Sequence, residues 1–262
     1  MRKLLILISL FISTETIAQK AKLIWADEFK KSGLPDPAKW DYDVGDHGWG
    51  NQELQYYSRA DKENARVEKG VLIIEAKADS SHPKGYTSAR LVTRGKASWK
   101  YGYIEVKAKL PTGTGTWPAI WMLAENNVHG GWPANGEIDI MEHVGFDPGK
   151  VHGTVHTKAF NHTIGTQKGG FQMVPNFDTE FHTYAIDWTS EKIDFYIDDS
   201  LYFTFVNSGG DYSEWPFDAP FHLILNIAVG GGWGGQKGVD PTIWPQKMEI
   251  DYVRVYDKKP LK

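Results

Sequence analysis

Alternation of apolar and polar residues at every second position constrains this chain more than any other feature. Val71–Ala78, Tyr103–Leu110, Phe181–Thr189, Ile193–Asp198, Leu201–Val206, His222–Val229 and Met248–Tyr256 all alternate or run apolar, rich in β-branched and aromatic side chains. A period of two is that of an extended strand with one buried face. Gly, Asn, Asp and Pro clusters separate the runs, as at Asp198-Asp199-Ser200, which reads as a hairpin turn. No segment carries a convincing helical stripe, and no repeat of 20–50 residues is present. About fourteen short strands with turns between them predict an all-β fold, an antiparallel β-sandwich of jelly-roll type. No Pro/Ser-rich linker divides the chain, so residues 19–262 are expected to form one domain.

Residues 1–18 read differently. Met1-Arg2-Lys3 is a positive start, Leu4–Ile12 is an apolar run too short to span a bilayer, and Thr16-Ile17-Ala18 supplies small residues before a cleavage point at Gln19. This is the pattern of a signal peptide, and it predicts a secreted or periplasmic protein with no membrane association after cleavage.

Composition removes several function classes. The chain has no cysteine, which excludes a disulfide scaffold, a thiolate metal site and a cysteine nucleophile. Its 29 Lys+Arg against 33 Asp+Glu, without basic runs, make nucleic acid a poor partner. The helical zinc motif H-E-x-x-H is absent, and Gly230–Gly235 lacks the ending of a phosphate loop. Eleven tryptophans beside 27 glycines are more aromatic surface than a core needs, so some are expected to face a ligand.

The stretch Gly136-Glu137-Ile138-Asp139-Ile140-Met141-Glu142-His143-Val144 is the most informative. Unpaired charges are costly inside a core, so three acids in a strand mark either a half-exposed strand or a functional cleft. Strict alternation would bury Glu142 beside two isoleucines. A one-residue β-bulge at Ile140-Met141 instead puts Glu137, Asp139 and Glu142 on one face and the apolar residues on the other. The outer Cα atoms are then ~13 Å apart, and side chains leaning together bring the carboxyl groups to roughly 5–6 Å. That spacing suits a retaining glycosidase, in which one carboxylate attacks the anomeric carbon and another protonates the leaving oxygen. Like charge from Asp139 would help one glutamate stay protonated.

Gly136–Gly145 resembles the motif of glycoside hydrolase family 16 in its bulged E-x-D-x-x-E form, which is that of laminarinase-like members; lichenase-type members lack the extra residue. Further blocks are similar to family blocks in family order: Trp25–Phe29, Gly48–Tyr57, Ser88-Ala89-Arg90, Tyr101–Glu105, Thr116–Leu123, His152–Thr157, Leu225–Gly231 and Asp251–Tyr256. The resemblance implies Glu137 as nucleophile, Glu142 as acid/base and Asp139 as the assisting acid. It implies sugar contacts from Asn51 and Arg90 on the non-reducing side, and places His156 near the acid/base. Trp117 and Trp121, four apart in one strand, share a face that the resemblance assigns to the cleft floor. Trp49, Trp132 and Trp233 lie in Gly-rich loops as candidates for its rim, while Trp25, Trp40, Trp99, Trp188, Trp215 and Trp244 are assigned to packing. No catalytic cofactor is implied. A structural calcium away from catalysis is implied, with Asp251 and the carbonyls of Glu28 and Gly70 as ligands.

The activity implied is retaining endo-hydrolysis of internal β-1,3-glucosidic linkages in laminarin-like β-glucans by a monomer. Relatives with the bulged motif also act on mixed-linkage β-1,3-1,4-glucan or on agar, carrageenan or porphyran, and some transglycosylate; loops, not fold, decide among these. A sulfated galactan would call for cleft cations that the acidic balance does not suggest. A non-catalytic β-glucan-binding lectin on the same sandwich is the alternative of another class, disfavoured because both glutamates are present.

Overall fold

The computed structural model describes residues 20–261; the signal peptide read at 1–18 lies outside them. Among the described residues there are seventeen strands. The first nine are β1 (Leu23–Asp27), β2 (Asp41–Tyr42), β3 (Gln55–Tyr57), β4 (Ala65–Glu68), β5 (Val71–Ala78), β6 (Tyr86–Ser88), β7 (Arg90–Val92), β8 (Gly102–Lys109) and β9 (Thr116–Ala124). Then follow β10 (Glu137–His143), β11 (Lys150–His156), β12 (Lys168–Met173), β13 (His182–Trp188), β14 (Lys192–Ile197), β15 (Ser200–Val206), β16 (Phe221–Val229) and β17 (Gln246–Tyr256). Among the described residues the helical content is one 3-10 turn, His162–Ile164, which the side chain of Asn161 caps.

Two sheets form. The larger runs β15-β14-β13-β8-β17-β5-β6-β3, with β1 added on β17 and β4 on β5; the smaller runs β12-β11-β10-β9-β16-β7-β2. Pairing is antiparallel except between β3 and β6. Non-consecutive neighbours, such as β9 beside β16 and β8 beside β17, give the crossovers of a jelly roll.

One apolar cluster fills the space between the sheets. Leu72, Ile74, Ile104, Val106, Ile186 and Val253 come from the larger sheet, and Ile120, Met122, Ile138, Leu223, Leu225 and Ile227 from the smaller. The six tryptophans assigned to packing all belong to this cluster or pack against it. Because alternate residues of β9, β10 and β16 are spent on the core, their partners must face outward from the smaller sheet. That outer face carries the candidate site.

Candidate active site

Strand β10 is built as its sequence requires. Against β9 its register shifts between Asp139 and Met141, and against β11 between Asp139 and Glu142. Ile140 and Met141 together therefore oppose Gly153, and both side chains are wholly buried, as is Ile138. The extra residue restores the alternation that a straight strand would break, and the three acids emerge on the outer face. Gly153 is needed opposite the bulge, because a Cβ there would run into Tyr202 and Phe195.

Each glutamate is held by an indole. Trp132 Nε1 donates to Glu137 Oε2 at 2.9 Å, and Trp117 Nε1 donates to Glu142 Oε1 at 2.9 Å. His156 Nε2 stands 3.3 Å from Asp139 Oδ2 and 3.7 Å from Glu137 Oε1. Burial, reinforced by the neighbouring Asp139 charge, pushes both Glu137 and Glu142 up to about 8. Burial holds Asp139 well above the usual carboxylate range. The site therefore retains protons at neutral pH, and its carboxyls titrate as a coupled set. Glu137, Asp139 and His156 also bring one potential metal-ligand atom each within 4.8 Å of one another. Protons held by the acids compete for the same lone pairs.

The neighbouring strands extend this face on both sides. On one side the Arg90 guanidinium lies between two indoles, 4.7 Å from the ring centre of Trp49 and 4.7 Å from that of Trp121, with Nε 3.2 Å from Asp43. Delocalised charge between aromatic faces favours Arg over Lys. On the other side Trp233 packs edge-on against Trp117 at 5.6 Å and against His152 at 5.1 Å. Trp132 is 43% exposed above the carboxylates and contacts His156 and His162. Trp117, Trp121, Trp132, Trp233, Arg90 and His156 are thus drawn around the acids.

Asn51 is tied in through a residue that sequence reasoning missed. Its Nδ2 donates to Glu53 Oε1 at 3.2 Å, while Gln55 Nε2 and Tyr57 OH donate to Glu53 Oε2. Tyr57 OH in turn accepts from Asn226 Nδ2, and Asn226 Oδ1 accepts from Trp121 Nε1 at 2.7 Å. Glu53, Gln55 and Tyr57 are buried whereas Leu54 is 39% exposed. Alternation with the polar residues inside was the available signal.

Glu28, Gly70 and Asp251 lie apart from this face, on the larger sheet. The register Asp27↔Val253 and Leu72↔Ile250 brings the end of β1 and the β4–β5 turn to the stretch of β17 that holds Asp251. The Glu28 side chain is engaged by Arg254 at 2.8 and 2.9 Å, leaving its carbonyl as the relevant group. Asp251 Oδ2 is 3.1 Å from Lys107 Nζ.

Comparison with known proteins agrees with this geometry. The sequence model of the glycosyl hydrolases family 16 matches residues 52–254. A beta-glucanase of Rhodothermus marinus is 64% identical over 242 residues, covering 90% of this chain and 85% of that protein. The X-ray structure of the laminarinase from Rhodothermus marinus superposes with a TM-score of 0.89 at 63% identity, over 91% of this chain and 98% of that one. A second solved structure has a TM-score of 0.87 at 51% identity, over 91% of this chain and 95% of that one. It is a mutant of a non-specific endo-β-1,3(4)-glucanase, co-crystallized with 1,3-β-D-cellotriosyl-glucose and presenting a 1,3-β-D-cellobiosyl-glucose at its active site. With two glutamates and an aspartate on one bulged strand, an aromatic-lined outer face and a family match over most of its length, the chain belongs to the glycosyl hydrolases of family 16.

Proposed function

We propose that this chain is a retaining endo-glucanase that cleaves internal β-1,3-glucosidic linkages of laminarin-like β-glucans. The observation that carries the reading is the bulged strand, which holds Glu137 and Glu142 on one face with an indole N–H on each. Glu142, pushed up to about 8, is largely protonated at neutral pH and can donate to the leaving oxygen. Glu137 must be an anion to attack the anomeric carbon. Burial holds the adjacent Asp139 well above the usual carboxylate range, so the competing proton has another carboxyl to occupy. After the glycosyl-enzyme forms, Glu142 as carboxylate takes a proton from the incoming water.

The neutral sugar rings would lie against Trp117, Trp121 and Trp132, with Arg90 and Asn51 meeting hydroxyls on the glycone side and Trp233 and His152 on the other. The likeness to a beta-glucanase and to a laminarinase of Rhodothermus marinus favours β-1,3-glucan as substrate. Mixed-linkage β-1,3-1,4-glucan is the second reading, favoured by the endo-β-1,3(4)-glucanase likeness at 51% identity. Hydrolysis of laminarin, lichenan, agarose and carrageenan side by side, with product sizing and anomeric NMR, tests both readings. Newly formed β-ends and loss of laminarin cleavage in Glu137→Gln are expected; α-configured ends would rule out retention.

The same proposal takes residues 1–18 as an export signal and 19–262 as one catalytic domain acting as a monomer. Supporting it, one core cluster spans both sheets. Among the described residues no helix is long and apolar enough to cross a membrane. Asp251 and the carbonyls of Glu28 and Gly70 are oxygen donors of the type calcium uses, and the ion would compete with Lys107 for the Asp251 carboxylate.

A further inference from the structure

Register traces a single row of residues across the smaller sheet. Arg90 pairs with Asn226, Asn226 with Ala119, Ala119 with Glu142, Glu142 with His152, and His152 with Phe171. Paired residues point to the same side, so the row lies on the outer face with Glu142 in its middle. Neighbouring strands are ~4.8 Å apart, so Phe171 stands ~10 Å beyond Glu142, the length of about two hexose units.

Phe171 is unusual for its place. It lies on β12, an edge strand, and is 56% exposed, with Met173 beside it 58% exposed. Edge strands are ordinarily protected by charge or by brevity rather than decorated with large apolar groups. Its neighbour Gly170 packs on Phe203, where a Cβ would clash, so the inward side of β12 is kept small while the bulk faces out. The rings also form an unbroken line away from the acid. Trp117, which donates to Glu142, meets Trp233; Trp233 meets His152; and His152 meets Phe171 at 5.8 Å. Lys150 Nζ sits 4.4 Å from the Phe171 ring centre and 3.4 Å from Asp147 Oδ2, which sets a charged pair beside the apolar surface. An aromatic face bordered by donors and acceptors suits a neutral sugar, whose ring presents C–H groups on its faces and hydroxyls on its rim.

Resting on the proposed glucanase reading, we propose that Phe171, flanked by Lys150 and Asp147, is a binding platform for the leaving portion of the glucan, about two units beyond the bond cleaved. The platform makes the enzyme favour cuts that release a disaccharide or longer from the reducing end.

The test compares Phe171→Ala and Phe171→Trp with wild type on two probes, a β-1,3-linked glucose hexasaccharide labelled at its reducing end and an aryl β-glycoside of laminaribiose. The aryl probe's leaving group is too short to reach Phe171. For Phe171→Ala, kcat/KM on the hexasaccharide falls about tenfold, the factor carried by about 1.4 kcal/mol. Activity on the aryl glycoside stays within about twofold of wild type, and the preference for releasing labelled disaccharide is lost. Phe171→Trp restores both. Equal slowing on the two probes, no slowing on either, or a change of oligomeric mass on sizing with an unchanged ratio of the two activities would overturn the platform. A wild-type enzyme that cleaves no laminarin oligosaccharide would refute the glucanase reading itself, and this inference with it. Cleavage with an unchanged ratio refutes the platform alone.

Discussion

The inserted residue of β10 offers the sharpest test of how this sequence builds its site. Deleting Met141 leaves Glu137-Ile138-Asp139-Ile140-Glu142, a run of strict alternation in which all three acids still share one face. The pairing of Glu142 with Ala119 and His152 is compatible with that straight strand. Deletion is therefore expected to keep the acids outside while removing a wholly buried side chain from the core. Loss of a buried Met side chain costs about 2–5 kcal/mol, which for a domain of this size lowers Tm by about 5–15 °C. Straightening the strand also moves Glu142 relative to Glu137 by ~1 Å, a displacement that costs about a hundredfold in rate. Thermal melts by circular dichroism and initial rates on laminarin measure the two effects separately. The expected variant melts cooperatively at the lower temperature and retains activity well above that of Glu137→Gln. If it is folded yet as inactive as Glu137→Gln, alternation does not govern where the acids point. An unchanged Tm would mean that Met141 is not part of the core.

Two further outcomes follow from charge. The folded-state pKa values of Glu137, Asp139 and Glu142 are all raised, so above the unfolded carboxylate range the native state holds more protons than the unfolded chain, and stability falls as pH rises from about 4 towards about 8. Asp139→Asn removes one of these groups and is expected to match wild type in Tm near pH 4 and exceed it by several degrees near pH 9; differential scanning fluorimetry showing the reverse sign would refute the assigned shifts. Calcium at a hundredfold excess over its Kd is expected to raise the wild-type Tm by about 5–10 °C relative to EDTA, and not that of Asp251→Asn. Equal response in the two proteins would remove Asp251 from the ligand set.

What the chain discloses in advance depends on whether a residue's constraint is local. The bulge was legible because burying Glu142 among isoleucines is costly enough to reject the straight strand, and the register shifts fall where that argument put them. The long strands were legible from alternation: Val71–Ala78 coincides with β5, and Phe181–Thr189 overruns β13 by one residue at each end. Strand β12 was not, because Gly169 and Gly170 erase the period, and those glycines are required by the Thr154 and Phe203 packing that no local pattern reveals. The convergence of Glu28, Gly70 and Asp251 came from resemblance, since only strand register joins positions so far apart. Glu53 shows why polar networks are the least legible. As a carboxylate it can only accept, so the single proton of Tyr57 OH is committed to it. Tyr57 OH must then accept from the amide of Asn226, which turns Asn226 Oδ1 towards Trp121 Nε1. One buried acid thus orients the Asn51 amide beside it and the indole of Trp121, through partners more than a hundred residues away in sequence. Such a chain of donors and acceptors has a fixed sense in space and no period in sequence, so the alternation that buries Glu53, Gln55 and Tyr57 around an exposed Leu54 marks the segment but not the distant partners that Glu53 orients.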